Sequence, residues 1–177
     1  AEALGMMLPG GASPPSGSGA RLRNAVASGR LAVEMAAAGR TPRSILTPEA
    51  FRNALTVLSA VSGSTNVVIH LTAIARRAGV TLSLDDFHQA SSRVPLLVDC
   101  KPAGTGYMED FHAAGGVPTL LKALEPMLET SATGITGKSL GALLVPAAPP
   151  GAWQTTIRTL EEPLGPCGAL ATVRGSL

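Results

Sequence analysis

Between Thr47 and Gly79 the sequence writes two helices with only a short break between them, and any fold for this chain has to be built around that pair. Thr47-Pro48-Glu49-Ala50 is a strong helix start: Thr47 can cap, Pro48 suits the first turn, and Ala50 stands near the place of a capping-box acid. Phe51, Leu55, Leu58 and Val61 then recur at helical spacing and predict one apolar stripe. The break is Ser62-Gly63-Ser64, and a second helix is predicted from Thr65 to Ala78, ended by Gly79. Such a turn sets small polar side chains and free backbone N–H groups at a helix N-terminus. That arrangement serves equally well as a site for a carboxylate or phosphate and as a plain cap between packed helices, so both readings of Ser62 to Asn66 stand.

The rest of the chain extends this helical pattern. Ala1 to Leu8 reads as the tail of a helix, stopped at Pro9-Gly10-Gly11, and Ala12 to Gly19 reads as a Pro/Gly/Ser loop with no packing duty. A helix is predicted over Arg21–Ala38 with Leu22, Ala25, Val26, Leu31 and Met35 on one face. Ser83 caps a short helix whose Asp85 and Asp86 suit the positive end of the helix dipole. Val94 to Val98 reads as extended and Lys101 to Gly106 as a loop. Helices follow over Met108–Ala114, Val117–Leu128 and Lys138–Leu144, and Pro146 to Gly151 is a linker. Ala169 to Gly175 reads as a strand without a partner. The two ends read as cuts in a longer chain.

Composition narrows the function classes. Hydrophobic residues make up 45% of the 177, so a core can form, but aromatics are 3% and the core must be aliphatic. Charged residues are 15%, below the usual ~25%, which predicts that part of the surface is covered by other chain or by a second subunit. The net charge of +2 is scattered, with Arg76-Arg77 the longest basic run and no stacking aromatics beside it, which argues against a nucleic-acid partner. The most apolar stretch, Val67 to Ala75, contains His70 and is far short of the ~20 residues that span a bilayer, so no membrane partner is expected. Cys100 and Cys167 cannot define a disulfide framework. They read as reduced, packed thiols of a cytoplasmic protein.

Several motifs invite sharper readings. Gly134-Ile135-Thr136-Gly137-Lys138-Ser139 approaches a phosphate loop, but Ala132 stands where the first glycine is needed, so a turn into a capped helix is the better reading. Glu109-Asp110 with His112, and Asp85-Asp86 with His88, hold metal-binding residue types. Neighbours on a helix diverge by ~100°, however, and acids in a first turn usually serve the dipole. His70 reads as a buried, hydrogen-bonded side chain.

Taken in order, AEALGMMLPG, ILTPEAFRNAL, GSTNVVIHLTAIARRAGV, LDDFHQASSRVPLLVDCKPAG, YMEDFHAAGGVPTLLKAL, ITGKSL and EPLGPCGALATVRGSL resemble the dihydroxy-acid and phosphogluconate dehydratase family over nearly the whole chain. The resemblance implies an α/β class, with residues 1–152 a mostly helical part of the N-terminal α/β domain and residues 153–177 a linker and the first strand of a C-terminal β-barrel. It implies a hydro-lyase that turns a 2,3-dihydroxy acid into a 2-keto acid. An iron–sulfur cluster would act as Lewis acid and magnesium would hold the carboxylate, in a homodimer or homotetramer. The family's cluster cysteines and magnesium ligands correspond to no residue of this segment, so no catalytic or metal residue is expected in it, and alone it should be colourless and inactive. Ser64, Thr65, Asn66, Glu109 and Asp110 are the residues the shared motifs imply at the substrate pocket. Val68-Ile69-His70 and Met108-Glu109-Asp110-Phe111 look slightly more like the sugar-acid branch than the branched-chain biosynthetic one. Ser62 stands where the family usually has glycine, Cys167 where an acid is usual, and Ala169 replaces a glycine, which leaves room for a non-catalytic copy kept as a structural or partner subunit.

Overall fold

The structure is a computed structural model that describes residues 1–173 and Gly175. Its helices are α1 (Gly19–Ala37), α2 (Pro42–Ile45), α3 (Pro48–Val61), α4 (Asn66–Ala78), α5 (Leu84–Arg93), α6 (Met108–Ala113), α7 (Gly116–Ala123) and α8 (Leu140–Leu144), with a 3₁₀ turn at Glu125–Met127. The described residues are thus mostly helical, and in place of a sheet they hold isolated antiparallel bridges, Leu96 to Gly165, Val98 to Ile157 and Thr133 to Ser139.

Helix α3 is the central element because it is buried on nearly every side. Ala50, Phe51, Ala54, Leu55 and Leu58 pack with Leu4, Leu71, Ala75 and Phe87 in one core. Ala60, at its far end, belongs to a second core with Leu97, Val98, Phe111, Leu120, Leu124, Leu144 and Ile157. Thr47 begins the helix as expected, its Oγ accepting from Ala50 N at 3.4 Å. The Val94–Val98 segment closes the other end. Leu97 N and Val98 N both donate to Ala60 O, at 2.9 and 3.2 Å, which occupies a carbonyl that a helix C-terminus leaves free. Helix α5 packs against α3, and Asp86, one of the two acids expected at its positive end, accepts from Ser83 N at 2.7 Å.

Several expectations are corrected. The helix tail at Ala1–Leu8 is reduced to its terminal turn: Gly5 is left-handed, Gly5 N donates to Glu2 O, and Met6 N donates to Ala1 O. The loop over residues 12–19 does have a packing role. Ser13 and Pro14 are buried, and the Arg21 guanidinium donates to the carbonyls of Gly11, Ala12 and Pro14. On α1 the side turned to the protein carries Asn24, Ser28, Leu31 and Met35, whereas Leu22, Ala25 and Val26 are exposed. His70 is exposed rather than buried, and so is Cys167. The barrel strand expected over 169–175 is not formed at residues 169–173, and Arg174 lies outside the described residues. Ala169 N donates to Ser62 Oγ and Ser91 Oγ donates to Leu170 O, so helical elements, not a strand partner, take up this backbone.

Candidate functional site

The α3–α4 turn is shaped by Ser62, the one non-glycine residue with positive φ (51°) among those described. Gly63 N reaches back to Leu58 O at 3.2 Å and Ser62 N to Ser59 O at 3.2 Å, the two bonds that close a helix through a left-handed residue. That conformation explains why a glycine suits the position. Here serine occupies it, 2% exposed, and its Oγ accepts from Ala169 N at 2.7 Å, so the side chain ties the C-terminal segment to the turn.

Ser64, Thr65 and Asn66 follow directly and are exposed. Asn66 N donates to Ser64 Oγ at 3.3 Å, and Val67 N and Val68 N donate to Ser64 O and Thr65 O. The first amides of the 13-residue α4 are therefore partnered within the turn. An anion arriving here would be met by the Thr65 hydroxyl and the Asn66 carboxamide, with the positive helix end behind them.

Glu109 and Asp110 are both exposed in the first turn of α6. Asp110 Oδ2 accepts from Tyr107 N at 2.8 Å, so this acid serves as a cap, in line with the dipole reading. The loop entering α6 adds a third acid: Asp99 accepts from Thr105 N at 2.6 Å, and this bond above all holds its carboxyl below the usual range. Lys101 Nζ sits 3.9 Å over the Tyr107 ring on the same loop. Each group's hydrogen bonds stay within its own turn; none of those described here joins Ser64–Asn66 to Glu109–Asp110.

His112 does not join a metal cluster with Glu109 and Asp110. Its Nδ1 lies 3.0 Å from Oγ of Ser13, which is 4% exposed. The close approach depends on Gly116, where a Cβ would fall 2.5 Å from that Oγ. The sequence reading missed this pair; the adjacent glycines Gly115-Gly116 after the histidine were the available signal. It also missed Glu2, which is 8% exposed and accepts from Gly10 N at 2.5 Å and Ala12 N at 3.0 Å. Burial pushes the Glu2 carboxyl up against the opposing pull of those bonds. A small apolar pocket of about 50 Å³ lies beside it, lined by Leu4, Met7, Pro118, Leu121, Ile135 and Leu140. The ITGKSL turn is part of that wall, with Ile135 N donating to Gly5 O and Ser139 Oγ capping α8 at Ala142 N, as the capped-helix reading expects.

An iron–sulfur cluster takes thiolates and magnesium takes converging oxygens. Cys100 is buried and burial raises its thiol, while Cys167 is exposed elsewhere on the chain. Among the described residues no three His, Cys, Asp or Glu side chains converge. The donor set of this segment does not fit either group. No helix of the described residues is long and apolar enough to cross a membrane.

Comparison with known proteins joins these observations. The family model described as dihydroxy-acid/6-phosphogluconate dehydratase N-terminal matches residues 1–143. The chain is 46% identical over 179 residues to a dihydroxy-acid dehydratase of Mycobacterium avium (strain 104), covering 100% of the chain and 31% of that protein. It is 46% identical to the dihydroxy-acid dehydratase of Acidothermus cellulolyticus, covering 100% of the chain and 32% of the relative. It is 42% identical over 182 residues to that of Sulfurisphaera tokodaii, covering 99% and 32%. The chain therefore spans about a third of the length of these relatives. With the family model matched from Ala1 to Leu143, this chain belongs to the dihydroxy-acid/6-phosphogluconate dehydratase family.

Proposed function

We propose that this chain forms part of a hydro-lyase that removes water from a 2,3-dihydroxy acid to give a 2-keto acid, in the manner of branched-chain amino-acid biosynthesis. The observation that carries the reading is the 42–46% identity, across the chain, to proteins named dihydroxy-acid dehydratase. These names favour the dihydroxy-acid reading over the sugar-acid branch to which Val68-Ile69-His70 and Met108–Phe111 had pointed.

Within that reading, residues 1–152 are the helical part of the N-terminal domain and residues 153–177 lead to a further domain. An iron–sulfur cluster and magnesium would supply Lewis acidity in the longer protein, and residues outside this segment would hold them. The protein works in the cytoplasm on a small hydroxy acid, as a homo-oligomer. Thr65 and Asn66, with Ser64 bracing the turn, orient the substrate carboxylate at the positive end of α4. Glu109 and Asp110, at the first turn of α6, stay candidates for the edge of the substrate site on the shared motifs alone.

The test is steady-state release of 2-keto acid by the full-length protein containing this segment, offered a short branched dihydroxy acid and a sugar acid in parallel. Preference for the branched acid, with Asn66→Ala raising KM about tenfold, or ~1.4 kcal/mol of binding, supports the reading. Faster turnover of the sugar acid overturns the substrate choice, and an unchanged KM overturns the role of Asn66. Absence of any turnover by a metal-loaded preparation would leave a non-catalytic subunit.

A further inference from the structure

We propose that the groove between α2 and the C-terminal half of α4 binds a small aliphatic carboxylate: a short acyl chain with one acidic head and no ammonium group. The groove lies toward the opposite end of α4 from Ser64–Asn66, about 12 Å along the helix from Asn66 to Ile74. Its size, its apolar walls and its charge carry the proposal, and none of these depends on the dehydratase reading.

Helix α2 has only four residues, and Ile45, 2% exposed, pins it to the body of the protein. Between it and α4 lies a space of about 420 Å³, within the range of small-molecule sites. The stretch of α4 along this space, Ala73 to Ala78, advances by about 7.5 Å, or less than two turns. That length matches a short acyl chain and gives a partner helix too little track.

The walls are apolar and held from behind. Leu46 and Ala78 are half-buried and pack against the core around Phe51 and Leu71. Ala73 and Ile74 stand beside them on α4 and are exposed, Ile74 by 38%. Because the core fixes these side chains, a ligand covers apolar surface without first having to order it.

Charge selects the head group. Arg43 from α2 and Arg77 from α4 line the groove from its two sides, and no acid is among the described residues that line it. Neither arginine joins an ion pair or a side-chain hydrogen bond among the described residues. Their neighbours are engaged: Arg40 donates to Ile135 O at 2.7 Å, and Arg52 pairs with Glu49 and Glu129. The negative end of α4 suits Arg76 as well as Arg77, yet only Arg77 lines the groove, opposite Arg43. A guanidinium presents paired N–H donors that match a carboxylate. An amino acid of the same size is disfavoured, because its ammonium would meet two cations and no carboxylate.

Equilibrium dialysis of radiolabelled octanoate against the full-length protein containing this segment tests the proposal, with an excess of a short dihydroxy acid present to occupy the substrate site. The expected result is one octanoate per chain, with a Kd on the order of 0.1–1 mM that the dihydroxy acid does not alter. Arg43→Gln and Arg77→Gln should each weaken binding about fivefold, the size of one exposed ion pair, while Arg76→Gln stays within about twofold. All three arginines are exposed, so the helical circular dichroism should be kept in each variant. Labelled octylamine and leucine should bind at least about tenfold more weakly than octanoate, having lost the attraction to both guanidiniums. Displacement of octanoate by the dihydroxy acid, equal binding of octylamine, or equal losses in the Arg76 and Arg77 variants would each overturn the site. Absence of octanoate binding would overturn it as well, and would mean that other parts of a longer chain cover the groove.

Discussion

Replacing Ser62 tests how the α3–α4 turn is held. Its backbone sits at φ 51°, ψ 55°, a conformation that costs an L-residue roughly 1–2 kcal/mol and glycine almost nothing. Against that cost, Ser62 Oγ accepts from Ala169 N at 2.7 Å from a side chain only 2% exposed. A hydrogen bond of this kind contributes about 0.5–1.5 kcal/mol. Ser62→Ala keeps the backbone cost and loses the bond, so it should destabilise the chain by about 1–2 kcal/mol. Ser62→Gly loses the same bond but relieves the backbone, so the two effects offset to within about 1 kcal/mol of the original stability. The glycine variant should therefore be more stable than the alanine variant by about 1–2 kcal/mol, a melting difference of roughly 2–8 °C for a domain of this size. Urea unfolding followed by circular dichroism measures both variants, and amide exchange at Ala169 should quicken in each. Equal stability of the two variants would refute the claim that a left-handed backbone is what makes this position favour glycine. Unchanged exchange at Ala169 would refute the tie to the C-terminal segment.

Asn53 is 1% exposed and grips one residue twice, Nδ2 donating to Glu129 O at 3.1 Å and Oδ1 accepting from Glu129 N at 2.8 Å; Asn53→Ala should cost about 2–4 kcal/mol in urea unfolding. Glu2 is raised by burial, so its contribution to stability is complete below the ordinary glutamate value of 4.5 and is lost as pH rises through the raised value. Glu2→Gln should flatten the decline of the urea midpoint on going from acid toward neutral pH, and an unaltered pH profile would show that Glu2 is not its source. Cys167 should react at once with a thiol reagent and Cys100 only on unfolding, because Cys100 is 2% exposed and burial raises its thiol; rapid titration of both would contradict the packing around Val98 and Phe111.

Much of the candidate site was legible because its signals are local. Thr47-Pro48, Ser62-Gly63-Ser64 and Gly79 mark helix ends through backbone chemistry that operates within four residues, and the structure places α3 and α4 between them. That Asp86 and Asp110 serve the first turns of their helices was readable for the same reason, and the structure adds their capping bonds. Glu2, Asn53 and the Ser13–His112 pair were not. The partners of Asn53 lie 76 positions away and that pair spans 99, and no periodicity reports a contact across such a distance. Glu2 was missed because an acid near a chain end reads as solvated, and its burial depends on how residues 8–12 fold back over it.

The sequence by itself determined the helical pair and the family, since ordered motifs survive in the chain whatever its conformation. The tertiary structure alone decided which side of each helix is covered. Periodicity placed Leu22, Val26, Leu31 and Met35 on one face, but packing turned Leu31 and Met35 toward the protein and left Leu22 and Val26 outside. The same holds for the end of the chain, where Ala169 and Leu170 read as strand and are instead tied down by Ser62 and Ser91. An apolar stripe fixes only that a surface will be buried; which surface meets it depends on neighbours brought together from distant sequence.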